Sequence, residues 1–311
     1  LTLTDVFWIR AAGEKTDFSE LNLYNHSLSD AFADVSLRGK DITIQNSELI
    51  MTKDVAGDVG TPGVAPKAWI RQNGDFYLMK DVPHGAVHMD IYKSEVCNRF
   101  RNCWVYLPPE YEKHPEKRYP VWYLHHGGGE NETGWIWQGK LNYILDNLIA
   151  EGKCVPFIIV MTYGMTNEAK FGTIGSFKVD NFQTVLVDEL IPYIDSHFKT
   201  KANKENRAMA GLSMGGMETK AITLARPEVF NYYGLLSGGT YAPADIKDKN
   251  QVKAIFMSCG EKEYPDGVNK AAEELKAAGF NAVSYVSEGT AHEFLTWRRS
   301  LREMAPLLFR K

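Results

Sequence analysis

The 311-residue chain is predicted to be an α/β protein, a mostly parallel sheet with helices on both faces, preceded by a short β-rich segment. Two observations predict this. From Val121 onward, apolar runs of strand length alternate with longer runs of helical period, and parallel strands need such helical crossovers. The composition is that of an ordinary folded protein, 44% hydrophobic and 24% charged, with no repeat or low-complexity tract. At this length roughly three quarters of the unfolded surface can be buried, so a full core needs no disulfide framework.

Taken in order, residues 1–66 read as a β-rich accessory segment and linker. Asp41–Ile50 alternates as a strand does, and Gly57–Pro66, dense in Gly and Pro, interrupts any regular element. A boundary is expected there, with one domain over 67–311. Residues 1–75 hold 11 acids and 7 bases, so the net charge of −4 lies in that part and the remaining 28 of each cancel. An acidic, solvated appendage is the expectation.

In the second part Phe76–Lys80, Val87–Tyr92 and Cys103–Leu107 read as strands, the last two joined as a hairpin through Asn98–Asn102. Val121–His125, Phe157–Thr162, Arg207–Gly211, Tyr232–Leu236, Ala254–Ser258 and Ala282–Val286 follow as strands. The intervening helices are expected at Leu141–Glu151, Asn181–His197, Met214–Ala225 and Asn269–Ala278, with Phe294–Phe309 closing the chain.

The near-neutral charge and the lack of basic runs interleaved with aromatics argue against nucleic acid as a partner. The longest apolar stretches, such as Val155–Tyr163, are about half the ~20 residues that a membrane-crossing helix needs. No signal peptide is visible, and the opening Leu1 suggests a mature or trimmed chain.

Chemistry concentrates at Gly211-Leu-Ser213-Met-Gly215-Gly216, between an apolar strand and a helix. In that context Gly-x-Ser-x-Gly is a nucleophile elbow: a sharp turn lifts the serine above the sheet edge, and small residues two positions either side let it close. A serine hydroxyl needs a base, and the base needs an orienting acid. His292 is the one histidine after Ser213, and it sits between the last strand and the last helix. The loop after Ala254–Ser258 offers Glu261, Glu263 and Asp266. Glu263 is the first choice because it lies far enough past the strand to reach back.

An oxyanion hole needs two backbone donors. Met214, following the nucleophile, supplies one. Gly128 is expected to supply the other and Gly127 is the reserve, because a glycine run directly after a strand lets backbone approach substrate. No Gly-Lys-Ser/Thr follows, which excludes a Walker phosphate loop. His125 and His126, adjacent on a strand, face opposite ways and suit structural roles better than a metal site, so neither metal nor cofactor is expected. Tyr241 and Trp135 lie on segments near the site and are candidate substrate contacts. Cys97 and Cys103 flank the expected hairpin turn, where either a disulfide or two buried thiols would be ordinary.

His126-Gly-Gly-Gly-Glu-Asn-Glu-Thr-Gly-Trp135, Glu205-Asn-Arg-Ala-Met-Ala-Gly-Leu-Ser-Met-Gly-Gly216 and His292-Glu-Phe-Leu-Thr-Trp297-Arg together resemble the bacterial feruloyl and acetylxylan esterases of carbohydrate esterase family 1. Val82-Pro-His-Gly85 and Asp188-Glu-Leu-Ile-Pro-Tyr-Ile194 add to the likeness, which covers residues 76–311. The resemblance implies an α/β-hydrolase fold and a secreted or periplasmic serine esterase acting on acylated plant polysaccharide, most readily on feruloyl esters of xylan. It also implies Ser213 as nucleophile, His292 as base, and Met214 with a glycine of 127–129 as oxyanion donors. The family usually carries Asp where this chain has Glu263. An acetylxylan esterase, an acyltransferase of the same fold and a non-enzymatic carbohydrate-binding relative are the alternatives.

Overall fold

The computed structural model describes residues 76–166 and 179–310, together with the backbone of six short strands between 11 and 71. It divides into two compact units, Leu1–Phe76 and Tyr77–Lys311. In the first, the described backbone forms three antiparallel pairs: Ala11–Ala12 with Lys15–Thr16, Leu37–Gly39 with Ile42–Ile44, and Glu48–Met51 with Ala68–Arg71. The alternating run Asp41–Ile50 is thus split between two pairs. The Gly/Pro-rich stretch Gly57–Pro66 lies outside the described residues, and so do the side chains of the acidic segment.

The second unit is built on eight strands. They are Ala86–Ser94 (β1), Arg99–Leu107 (β2), Val121–His125 (β3), Ile158–Thr162 (β4), Arg207–Leu212 (β5), Tyr232–Leu236 (β6), Ala254–Gly260 (β7) and Ala282–Ser287 (β8), in the order β8-β7-β6-β5-β3-β4-β2-β1. β1 and β2 form an antiparallel hairpin, and β2 runs antiparallel to β4; every other pairing is parallel. Every residue of β3, β4, β6 and β7 is buried, as strands covered on both faces require.

The cover comes from helices Gly134–Trp137 (α1), Leu141–Ala150 (α2), a run from Asp180 to His197 (α3) that passes through a π-helical stretch at Val185–Leu190, Met214–Ala225 (α4), Pro265–Ala277 (α5) and Phe294–Met304 (α6). α6 stops earlier than its apolar period predicts because Pro306 cannot continue an α-helix, and a single 3-10 turn, Ala305–Leu307, takes over.

Two expectations are corrected. Phe76–Lys80 forms turns rather than a strand, and the Leu78 carbonyl is satisfied by a side chain, accepting from Asn147 Nδ2 of α2 at 2.9 Å. The hairpin turn lies earlier than expected, at Glu95–Asn98, with Asn98 at φ 47° and Ser94 opposite Arg99. That register puts Cys103 opposite Asp90, four residues down β2 and roughly 13 Å from the turn. A disulfide needs Cα atoms within about 7 Å, so no disulfide joins Cys97 to Cys103, and both side chains are buried.

The order of the strands decides where a site forms. β3 lies between β4 and β5, so the chain leaves β3 toward one neighbour and returns to its other side. At such a switch point the exits of adjacent parallel strands diverge and open a crevice at the carboxyl edge. Here those exits are the glycine loop after His125 and the turn at Ser213.

Candidate active site

Ser213 sits between β5 and α4 with φ 51° and ψ −115°, a backbone region that a residue with a side chain occupies only under constraint. The neighbours supply it. A Cβ on Gly211 would come within 2.3 Å of the Gly215 carbonyl carbon, and one on Gly216 within 2.6 Å of Gly238 Cα, so the turn closes only with glycine there. The Ser213 amide is tied to Leu236 O of β6 at 2.8 Å. Met214 then opens α4, whose N-terminal end carries the positive pole of the helix dipole beside the serine.

β3 and β5 run parallel with His125 opposite Gly211, which brings the glycine loop alongside the elbow. A Cβ on Gly127 would lie 3.4 Å from Ser213 Cβ. The Gly127 amide donates to Glu130 Oε2 at 3.1 Å, while Gly128 and Gly129 are exposed. His126 anchors this loop. Its Nδ1 lies 2.7 Å from Gly127 O and must donate there, and its Nε2 accepts the Gly164 N–H at 3.0 Å, which assigns one neutral tautomer. The ring also stacks on Tyr163, and burial pushes its pKa down to about 4. His125, fully buried and edge-on to Phe182, is pushed down to about 3 by burial. Both rings are enclosed by the fold.

Of the three candidate carboxylates, Glu263 meets His292. Its Oε1 lies 2.6 Å from His292 Nδ1, and its Oε2 accepts from the Gly260 amide at 2.6 Å and from the Ser237 hydroxyl at 2.8 Å. Burial alone would raise this carboxyl, but the bonds from His292, Gly260 and Ser237 outweigh it and hold the group below the usual glutamate value. The Glu263 side chain is 15% exposed and His292 is 49% exposed, so the carboxylate is enclosed while the imidazole remains accessible. Glu261 instead caps the Gly289 amide at 2.7 Å, and Asp266 is exposed in the first turn of α5.

Ser237 and Glu130 escaped the sequence reading. Ser237, at φ 49° just past β6, accepts the indole proton of Trp297 at 3.0 Å while donating to Glu263. Trp297 stands edge-on to His292, with ring centroids 5.1 Å apart. The small residues Ser237-Gly-Gly239 directly after a strand were the available signal. Burial raises the Glu130 carboxyl, against the opposing pull of the Gly127 amide and of His292. Glu130 therefore lies within electrostatic reach of His292 while holding the loop beside Ser213.

Trp135 and Tyr241 are corrected: neither faces the crevice. Both are fully buried. Trp135 donates its indole proton to His125 O at 2.9 Å and packs edge-on against Phe294, so it braces the glycine loop from beneath. The Tyr241 hydroxyl lies 2.7 Å from Thr223 Oγ1 of α4. Large aromatic groups with one polar atom are readily enclosed when that atom finds a partner.

Comparison with known proteins agrees with this fold. Residues 94–308 match the Esterase family. The chain is 60% identical, over 240 residues and 76% of its length, to an endo-1,4-beta-xylanase/feruloyl esterase of Xylanibacter ruminicola, and it spans 33% of that relative's length. Among solved structures, the feruloyl esterase module of Clostridium thermocellum, complexed with sinapinate, superposes with a TM-score of 0.63 at 25% identity, covering 77% of this chain and 93% of the module. A CE1 ferulic acid esterase of the anaerobic fungus Anaeromyces mucronatus shares the fold, with a TM-score of 0.63 at 21% identity, 76% of this chain and 96% of that one being covered. With the elbow, the strand order and the extent of these matches in agreement, the chain belongs to the Esterase family and has the α/β-hydrolase fold.

Proposed function

We propose that this chain is a serine esterase that releases feruloyl groups from plant cell-wall xylan. The observation that carries the reading is the bond of 2.6 Å between Glu263 and His292 at the carboxyl edge that also presents Ser213 on its strained turn. The 60% identity to a protein named as a xylanase/feruloyl esterase favours feruloyl as the acyl group and xylan as its carrier.

In this mechanism Ser213 Oγ attacks the ester carbonyl as His292 Nε2 takes its proton. Glu263 holds Nδ1–H, keeps the ring in the reactive tautomer and stabilises the imidazolium. The carbonyl oxygen becomes an oxyanion between the amides of Met214 and Gly128. Gly128 is favoured over Gly127 because the Gly127 N–H is already given to Glu130. His292 then protonates the leaving sugar oxygen as its bond to the acyl carbon breaks, freeing the sugar as an alcohol, and water, activated by the same base, hydrolyses the acyl-enzyme. No cofactor takes part. A polysaccharide does not cross a bilayer, so the enzyme meets its substrate outside the cytoplasm; no helix among the described residues is long and apolar enough to span a membrane.

The test is a hydrolysis panel of methyl ferulate, an aryl acetate and acetylated xylan at equal enzyme concentration, with Ser213→Ala beside the wild type. Ferulate release should dominate, and the variant should lose about 10⁴-fold or more in kcat. Acetyl release far faster than ferulate release would overturn the feruloyl assignment. Turnover surviving in Ser213→Ala would overturn the nucleophile.

A further inference from the structure

The residue after Glu263 is an aromatic that the catalytic reading leaves unused. Tyr264 is 70% exposed, yet its position is tightly held. Its amide is turned back onto the Cys259 sulfur, its carbonyl accepts the Val268 N–H at 3.3 Å as α5 begins, and Pro265 restricts the backbone on its other side. The ring lies on Gly267. A Cβ built on that glycine would fall 1.6 Å from Tyr264 Cε1 and 2.2 and 2.3 Å from the ring atoms on either side of it. Distances so nearly equal and so short locate that point above the ring plane, not beyond its rim. One face of the tyrosine therefore covers the glycine backbone, and the ring presents a flat apolar surface outward.

The chemistry indicates what such a surface would meet. The acyl carbonyl must sit toward the oxyanion donors, Met214 and the glycine loop. The leaving oxygen must sit toward His292, because His292 protonates it. Tyr264 belongs to the loop that holds His292's partner, and so lies on the side where the alcohol half of the ester departs. That half is a sugar. The axial C–H bonds of a pyranose form an apolar face that stacks on an aromatic ring, and the exposed side chains of Lys262 and Asp266 in the same loop offer hydrogen-bonding groups for the hydroxyls at its rim.

Resting on the feruloyl esterase reading, we propose that Tyr264, laid flat on Gly267, is a sugar-binding platform for the polysaccharide chain that carries the ester. It makes the enzyme prefer feruloyl groups still attached to carbohydrate. A rigid ring held in place before binding loses little conformational freedom when a sugar settles on it.

The experiment compares kcat/KM on a feruloylated arabinoxylo-oligosaccharide with kcat/KM on methyl ferulate, which has the same acyl group and no sugar. Tyr264→Ala should lower the ratio about 10-fold, chiefly through KM for the oligosaccharide. Tyr264→Phe, which keeps the ring, should hold the wild-type ratio. Gly267→Ala, whose methyl takes the place of the ring, should lower the ratio as Tyr264→Ala does. An unchanged ratio in Tyr264→Ala, or equal losses on both substrates, would overturn the platform and leave the esterase standing. Failure of the wild-type enzyme to hydrolyse either substrate would overturn the esterase reading and this one with it.

Discussion

Ser237 donates its hydroxyl proton to Glu263 Oε2 across 2.8 Å, and through that bond the exit of β6 fixes the carboxylate that holds His292. Glu263 is anchored three times over, by His292, the Gly260 amide and Ser237. A carboxylate so engaged needs the full length of glutamate, because one oxygen reaches the histidine while the other stays with the loop. This accounts for Glu at a position where relatives are expected to have Asp.

Glu263→Gln should lower kcat on methyl ferulate by about 10²- to 10⁴-fold with KM nearly unchanged, since an amide favours the wrong imidazole tautomer. Glu263→Asp cannot keep all three bonds and should fall between wild type and Glu263→Gln. Steady-state kinetics would check both. Greater damage from Glu261→Gln or Asp266→Asn would remove Glu263 from the mechanism.

Ser237→Ala takes away one of the bonds that hold the Glu263 carboxyl below its usual value of 4.5. A depressed carboxyl stabilises the fold above its unfolded pKa, and that contribution is lost as pH falls through the folded value. Weakening the depression should therefore move the acid loss of activity to higher pH and cost about 1 kcal/mol of stability. A pH profile of kcat superposable on the wild type would contradict this coupling.

His125 and His126 stay neutral in the fold, with pKa values pushed down by burial to about 3 and about 4 from 6.5. The unfolded chain takes up those protons near pH 6.5 and the folded chain does not, so stability should fall as pH drops below 6.5. Each histidine contributes up to about 1.4 kcal/mol per pH unit, His126 down to about pH 4 and His125 to about pH 3. Urea titrations at pH 7 and pH 5 should show the loss, and His126→Gln should flatten the dependence. Equal stability at the two pH values would mean that these rings are charged or exposed.

All four cysteines are buried and none is in a disulfide, and burial pushes Cys103 and Cys154 up to about 12. The native protein should resist Ellman's reagent, while four thiols should react in denaturant without reductant. Recovery of only two would show a disulfide.

Much of the site was legible because it obeys local rules. A serine two residues from glycine on either side, after a strand and before a helix, already specifies the turn, and one histidine after it leaves one candidate base. The glycine run after Val121–His125 identifies the loop beside it for the same reason. The alternation of periods likewise specifies strand, helix and parallel sheet, because a strand must present both faces to helices that its own neighbours in sequence supply. Strand ends and the hairpin turn were less legible, since they depend on register with a partner strand.

Tertiary structure alone decided which carboxylate meets His292, that Ser237 and Trp297 support it, and that Glu130 holds the glycine loop. The contacts among Glu263, His292, Ser237 and Trp297 join residues tens of positions apart, and a side chain's reach is settled by packing, not by spacing along the chain. The same holds for exposure. Trp135 and Tyr241 read as candidate substrate contacts yet are enclosed, while Tyr264, which no sequence signal singled out, is exposed. Period and composition state how apolar a residue is, and only the assembled neighbours determine whether its faces are covered.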